Sequence, residues 1–275
     1  MKHIVAVSTN TYHGFTLEEA LKGISAAGFK YVELTAVAGW TEHVKANMTD
    51  AELEDVKKML KKYNLKPIGL SGHCDLMDAK RLEDFSANIE LAGKLGCKFI
   101  ISSTGEAHNA TKEYSQDDLL VENLKKVLPL CEKLGIKLVL ETHGEHATGA
   151  LMSKLVDKVG SKYLGINYDT ANVMFYGKKL PEEDIKECAK NVAYVHLKDK
   201  GGEKDVWDFP APGKGWLKLK ETLEYLDSQG FDGPISTEIE FTEGFTMRDK
   251  KPEDLPVVDT AVKDAYDFYK KNGFV

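Results

Sequence analysis

The chain has 275 residues, 42% hydrophobic and 29% charged, a formal net charge of -7 and a pI near 5.7, values that exclude fibrous and intrinsically disordered classes. The acidic balance argues against a nucleic-acid partner, because such binding draws on clustered Lys and Arg. No apolar run of about 20 residues is present to span a membrane.

A chain of this length suits one domain over residues 1–275 with a large core. Its start, MKHIVAVSTN, soon turns polar and lacks a signal-peptide core, so a cytoplasmic location is expected. Cys74, Cys97, Cys131 and Cys188 are scattered without a C-x-x-C pair, which predicts reduced thiols and neither a zinc cluster nor a disulfide framework. Lys57, Lys58, Lys61 and Lys62 recur at helical spacing among acidic neighbours and read as a solvated helix face.

Short apolar runs alternate with longer amphipathic stretches. In chain order, strands are predicted over His3 to Ser8, Tyr31 to Thr35, Pro67 to Ser71, Phe99 to Thr104, Lys137 to Thr142, Leu164 to Thr170, Ala193 to Lys198 and Pro234 to Glu240. The intervening helices are predicted over Thr16 to Ala27, Thr49 to Tyr63, Ala79 to Leu95, Ser115 to Leu134, Ala150 to Val159, Pro181 to Lys190, Leu217 to Gln229 and Glu253 to Lys271. Glycine exits such as KLGCKFII and KLGIKLVL join helix to strand. Eight such units imply a parallel sheet with right-handed crossovers closed into a (β/α)8 TIM barrel. An open doubly wound sheet is disfavoured, since no G-x-G-x-x-G follows the first strand.

Barrels of this kind carry their chemistry at the C-terminal ends of strands. Strand five ends in Glu141 within KLVLETHG, strand six in Asp169 within GINYDTAN, strand seven in His196 within AYVHLKDK and strand eight in Glu238 within PISTEIEF. A lone strand-end Asp or Glu often caps the following helix, but four such residues on consecutive units converge on one mouth and point to a divalent metal. Three carboxylates and one imidazole favour Mn²⁺ or Mg²⁺, with Co²⁺ or Zn²⁺ allowed by the histidine.

These four segments resemble the strand ends of the xylose isomerase-like superfamily of sugar phosphate isomerases and epimerases, and AGFKYVEL is similar to its G-[FY]-x-x-[VI]-E-L element. The resemblance spans the barrel and implies that Glu141, Asp169, His196 and Glu238 are the metal ligands. Many epimerases and apurinic endonucleases of the superfamily carry a histidine three residues after the strand-six aspartate, where this chain has Asn172. LKDK also departs from the arginine-bearing loop of ketose 3-epimerases.

Lys198 shares a strand face with His196 and is a candidate for stabilising negative charge on substrate, against the alternative of a solvated or ion-paired lysine. Glu240 shares the face of Glu238 and is its rival as fourth ligand. Glu33 and His73 resemble superfamily positions at the sugar site, and together with Glu106 and Asn172 they are candidates for substrate contact. The loop from Gly201 to Trp216 reads either as a substrate cover or as a packed surface loop. The activity implied is metal-dependent isomerisation or epimerisation of a small sugar, through proton abstraction beside the carbonyl and an enediolate. Glu141 and Glu238 would exchange the proton. The alternatives are a lyase or dehydratase acting on a keto-sugar, keto-inositol or 3-keto-glycoside and, with weaker support, an endonuclease-like phosphodiesterase. A homo-oligomer is open to such a barrel.

Overall fold

Several amphipathic stretches carry their own start and stop signals. Thr16 and Thr49 each form a capping box, with Glu19 and Glu52, and open helices Leu17–Ala27 and Asp50–Lys62. The first of these ends at Gly28, whose φ of 115° lies in the left-handed region that lets the chain turn straight into the next strand.

The computed structural model describes residues 2–105 and 117–275. Among them, eight parallel strands close into a barrel: Val5–Ser8, Tyr31–Thr35, Lys66–Ser71, Phe99–Ser102, Lys137–Glu141, Leu164–Asp169, Val192–Leu197 and Ile235–Thr237. The eighth pairs with both the seventh and the first, which closes the ring. Helices Leu82–Leu95, Asp117–Leu134, Gly149–Val159, Leu219–Ser228 and Leu255–Asn272 complete the main outer layer. No helix of the described residues is long and apolar enough to cross a membrane. The four cysteines are unpaired and buried.

Three segments differ from the sequence expectation. The helix predicted over Pro181 to Lys190 is one short turn, Pro181–Asp184, followed by two 3-10 turns, because Cys188 takes a non-helical backbone between them. A six-residue helix, Thr170–Phe175, starts directly on strand six at Thr170, the last residue of the predicted strand, and runs through residues for which no element is predicted. The eighth strand stops at Thr237 instead of Glu240. Beyond it Ile239 N–H bonds to Thr11 Oγ1, Phe241 adopts a φ of 53°, and Phe241–Thr242 pairs antiparallel with Asp208–Phe209 of the preceding loop.

The main core lies between the strands and the helices, whereas the barrel interior holds a separate small cluster of Ile101, Val139 and Tyr194 with Phe99 packed against it. Gly69 makes room for this cluster, since a Cβ there would lie 3.0 Å from Ile101 and 3.1 Å from the Tyr194 hydroxyl. Truncation of the plug by Ile101→Ala is expected to destabilise the fold by about 2–5 kcal/mol. Urea unfolding measures it, and a loss under about 1 kcal/mol would mean that the interior collapses to fill the space.

Candidate metal centre

At the C-terminal end of the barrel, consecutive units bring their ionisable residues to one point. Glu141 ends the fifth strand, Asp169 ends the sixth, His196 is the penultimate residue of the seventh and Glu238 follows the eighth. All four are buried, and one ligand atom from each lies within 4.8 Å of the others. His196 Nδ1 is 3.6 Å from Glu141 Oε2, 3.9 Å from Glu238 Oε2 and 4.0 Å from Asp169 Oδ2. Such gaps are too long for hydrogen bonds, yet they suit atoms that share one ion at about 2.0–2.2 Å.

The remaining atoms of the four side chains are held from behind. His196 Nε2 lies 3.0 and 3.2 Å from the two Glu33 oxygens, and the Tyr194 hydroxyl donates to Glu33 Oε2 at 2.7 Å. This places a proton on Nε2 and turns Nδ1 toward the cluster, as for a metal-ligating histidine backed by a carboxylate. Asp169 Oδ1 accepts from the backbone of Ala171 at 2.9 Å and of Asn172 at 2.8 Å, capping Thr170–Phe175. Glu141 Oε1 accepts from Asn172 Nδ2 at 2.7 Å, while its Oε2 is 3.3 Å from His73 Nε2. His73 Nδ1 in turn accepts from Ser103 N–H at 2.9 Å. Glu238 Oε1 accepts from Asn10 Nδ2 at 3.0 Å, and its Oε2 lies 3.0 Å from Lys198 Nζ.

Two buried atoms aimed into the cluster, His196 Nδ1 and Asp169 Oδ2, have no hydrogen-bond partner. Buried polar atoms are ordinarily paired, so this pair fits a cation bound between them. The charge balance agrees. Burial raises the Asp169 carboxyl, Lys198 offsets this in part, and the nearby Glu141 and Glu238 charges raise it again, to about 8. Burial works against charge on Glu141 and Glu238 too, but His196 holds Glu141 below the usual carboxylate range, and Lys198 with His196 does the same for Glu238. Burial opposes charge on His196 as well, yet Glu33 and Glu141 push it well above its ordinary value. The centre thus favours positive charge at the point where a divalent ion would supply it.

A cavity of about 490 Å³ opens over this centre. Glu141, Glu238, His73, Lys198 and Glu240 line it. Lys198 is buried; its ammonium donates to Glu238 and Glu240, lies 3.8 Å from Asp169 Oδ2 and sits 4.7 Å from the centre of the Phe209 ring. The ion-paired alternative for Lys198 therefore describes its contacts, and it lines the cavity at the same time. Glu240 belongs to the lysine's ion pairs and stands outside the four-residue cluster.

Glu33 and Asn172 are not on the cavity wall. Both are buried behind it, Glu33 against His196 and Asn172 against Glu141. Glu106 lies outside the described residues. The loop from Gly201 to Trp216 contributes no residue to the cavity wall, and packs beside Lys198 through Phe209.

Sequence reasoning missed Asn10. Its Nδ2 donates to Glu238, while its Oδ1 accepts from Trp40 Nε1 at 3.0 Å and Thr41 Oγ1 at 2.7 Å. Nothing local marks it, because it sits in a polar run after strand one and its partners are distant in sequence.

The model of the xylose isomerase-like TIM barrel family matches residues 21–260, and the chain belongs to that family. Among relatives, an inosose dehydratase of Clostridium beijerinckii is 24% identical over 82% of each chain. A putative hydroxypyruvate isomerase of Streptomyces coelicolor is 23% identical over 78% of this chain and 82% of its own. A crystal structure of D-psicose 3-epimerase in the presence of D-fructose superposes with a TM-score of 0.80 at 18% identity, with both chains fully covered.

The arrangement behind His196 yields an expected outcome. Glu33→Gln should weaken Mn²⁺ binding about 10- to 100-fold, as loss of a carboxylate behind a ligating histidine generally does. Glu240→Gln should leave binding within about threefold of the parent, since Glu240 stands outside the four-residue cluster, with Oε2 on Lys198 and Oε1 accepting from Asn10 Nδ2 at 3.4 Å. Calorimetric titration of the demetallated protein checks both. Unchanged affinity in Glu33→Gln would remove Glu33 from the metal site.

Proposed function

We propose that this chain is a divalent-metal-dependent enzyme that abstracts a proton beside the carbonyl of a small sugar or polyol derivative, with epimerisation or aldose-ketose isomerisation as the outcome. One observation carries the reading. Two carboxylates, Glu141 and Glu238, approach the same centre from the fifth and eighth strands of the ring, each held from behind by its own partners, on the wall of a cavity within the usual small-molecule range of about 300–1,000 Å³.

Glu141, Asp169, His196 and Glu238 would hold the ion. When bound, Mn²⁺ or Mg²⁺, with Co²⁺ or Zn²⁺ as alternatives, supplies the Lewis acidity that lets a weak carbon acid lose its proton. The chain's own groups do the rest. One of the two glutamates takes the proton and the other returns one to the opposite face. Lys198, a buried ammonium held well above its ordinary value by Glu238 and Glu240 despite the opposing effect of burial, stays charged and can stabilise the oxyanion that develops. His73 Nε2–H, on the Glu141 side, can donate to a substrate oxygen.

A second reading, dehydration of a keto-inositol or related keto-sugar, is favoured by the asymmetry of the centre. Among the described residues, the ammonium that meets the cluster, Lys198, is hydrogen-bonded to Glu238, which suits protonation of a leaving hydroxyl on that side while Glu141 acts as base. Similarity to an inosose dehydratase over 82% of the chain supports this alternative.

Incubation of the metal-loaded protein in D₂O with free sugars, phosphorylated sugars, keto-inositols and 3-keto-glycosides tests the common first step. Deuterium at the carbon beside the carbonyl, read by NMR, is the expected result, and the product distinguishes epimer, isomer and dehydrated ketone. Metal-dependent phosphodiester cleavage with no change in any carbohydrate would overturn both readings. Lys198→Met is expected to lower turnover about 10²- to 10³-fold with metal content kept. Parent-like rates in that variant would return the lysine to a purely ion-paired role.

A further inference from the structure

The connection from the seventh strand to the eighth is long and largely irregular before helix Leu219–Ser228 begins. Asp199, the residue after Lys198, gathers both ends of its first part on one side chain. Its Oδ1 accepts from the backbone N–H of Lys200 at 2.8 Å and of Leu217 at 3.2 Å, and its Oδ2 from Gly213 at 2.8 Å and Gly215 at 2.9 Å. A carboxylate meeting four N–H donors in a buried position is a strong clasp. The space is tight as well, since a Cβ on Gly215 would lie 2.4 Å from Asp199 Oδ1.

Within the clasped loop lies Phe209. It is buried, pairs with Phe241 just after Glu240, and presents its ring to the Lys198 ammonium at 4.7 Å. The ammonium therefore has an aromatic floor on one side and the carboxylates of Glu238 and Glu240 on the other. The lysine's own backbone is fixed separately, by Thr170 Oγ1, so the loop acts on the side chain.

We propose that Asp199 is a positioning residue for Lys198: by clasping the loop it holds Phe209 beneath the ammonium, keeps water from that side and confines the charge to the mouth of the cavity. Any effect on turnover rests on the proposed reaction, but the placement of the lysine does not.

The test therefore uses no substrate. In Asp199→Asn, whichever way the amide turns, its NH₂ faces two of the four N–H donors. Amide hydrogen exchange at Gly213, Gly215 and Leu217 is expected to accelerate at least about tenfold. Acylation of Lys198 by an amine-reactive reagent, followed by peptide mass spectrometry, should rise by a similar factor over the protected parent. Phe209→Ala should expose Lys198 equally while leaving exchange at Gly213 and Gly215 unchanged, a pattern that loss of loop stability alone would not produce. Should Asp199→Asn fail to fold, Gly215→Ala disturbs the clasp from the loop side and is expected to give the same two increases. Faster loop exchange with Lys198 labelled at the parent rate would reduce Asp199 to a loop anchor. Unchanged exchange would remove the clasp itself.

Discussion

Glu141, Asp169 and Glu238 bring three carboxylates into a buried space at one end of the barrel, where His196 and Lys198 are the nearby positive groups. Withdrawing charge from water costs several kcal/mol per ion, and repulsion among like charges adds to this. The protein's own cations divide unequally. His196 serves Glu141, and Lys198 serves Glu238 while also meeting Glu240. Asp169 keeps one oxygen without a hydrogen-bond partner, and its carboxyl is the one pushed up to about 8. Full ionisation of the three therefore asks for one more positive charge at their common point, which is the electrostatic case for a divalent ion.

Much of the surrounding structure serves to hold those acceptors still. Asn172 and Asn10 each spend an amide on the far oxygen of Glu141 and Glu238, and two backbone N–H groups of the Thr170–Phe175 helix fix Asp169. Beneath them, Tyr194 holds Glu33 and Glu33 holds His196, with Gly69 leaving room for the tyrosine ring. Side chains oriented in this way lose little freedom when a ligand binds. The barrel interior is thus layered, with an apolar plug at depth, the Glu33 to His196 pair above it and the cluster at the mouth.

The barrel and the four-residue cluster were legible in the sequence because both rest on local, repeated signals: strand-length apolar runs, helix caps and an ionisable residue at the same place in successive units. The resemblance made Glu33 a candidate for substrate contact, yet Glu33 lies under His196 and away from the cavity wall. Strand parity was less informative. Lys198 and Glu240 lie beyond the ends of their strands, so they reach the mouth through backbone that parity does not describe. Asn10 could not be read at all, since its function depends on contacts with Glu238, Trp40 and Thr41. At Asp169, helix capping and a place in the four-residue cluster need not compete. One of its oxygens caps a helix, and this fixes the direction of the other.

The same logic bears on why the two sides of the centre differ. Glu141 is backed by an asparagine amide, by a histidine whose Nδ1 already accepts a backbone hydrogen bond, and by His196, which also faces Asp169 and Glu238, so among the described residues no ammonium is bound to it. Glu238 is bound to an ammonium that Glu240 shares and that Phe209 covers. A substrate lying between them would meet a base-like face and a cation-bearing face. Symmetrical proton exchange uses only the first property on both sides, whereas charge development on an oxygen at the Glu238 side draws on the second. Which property dominates depends on where the substrate's oxygens fall relative to Lys198. The loop clasped by Asp199, whose clasp contacts lie outside the four-residue cluster, would therefore bear on the proposed chemistry through the position of one ammonium group.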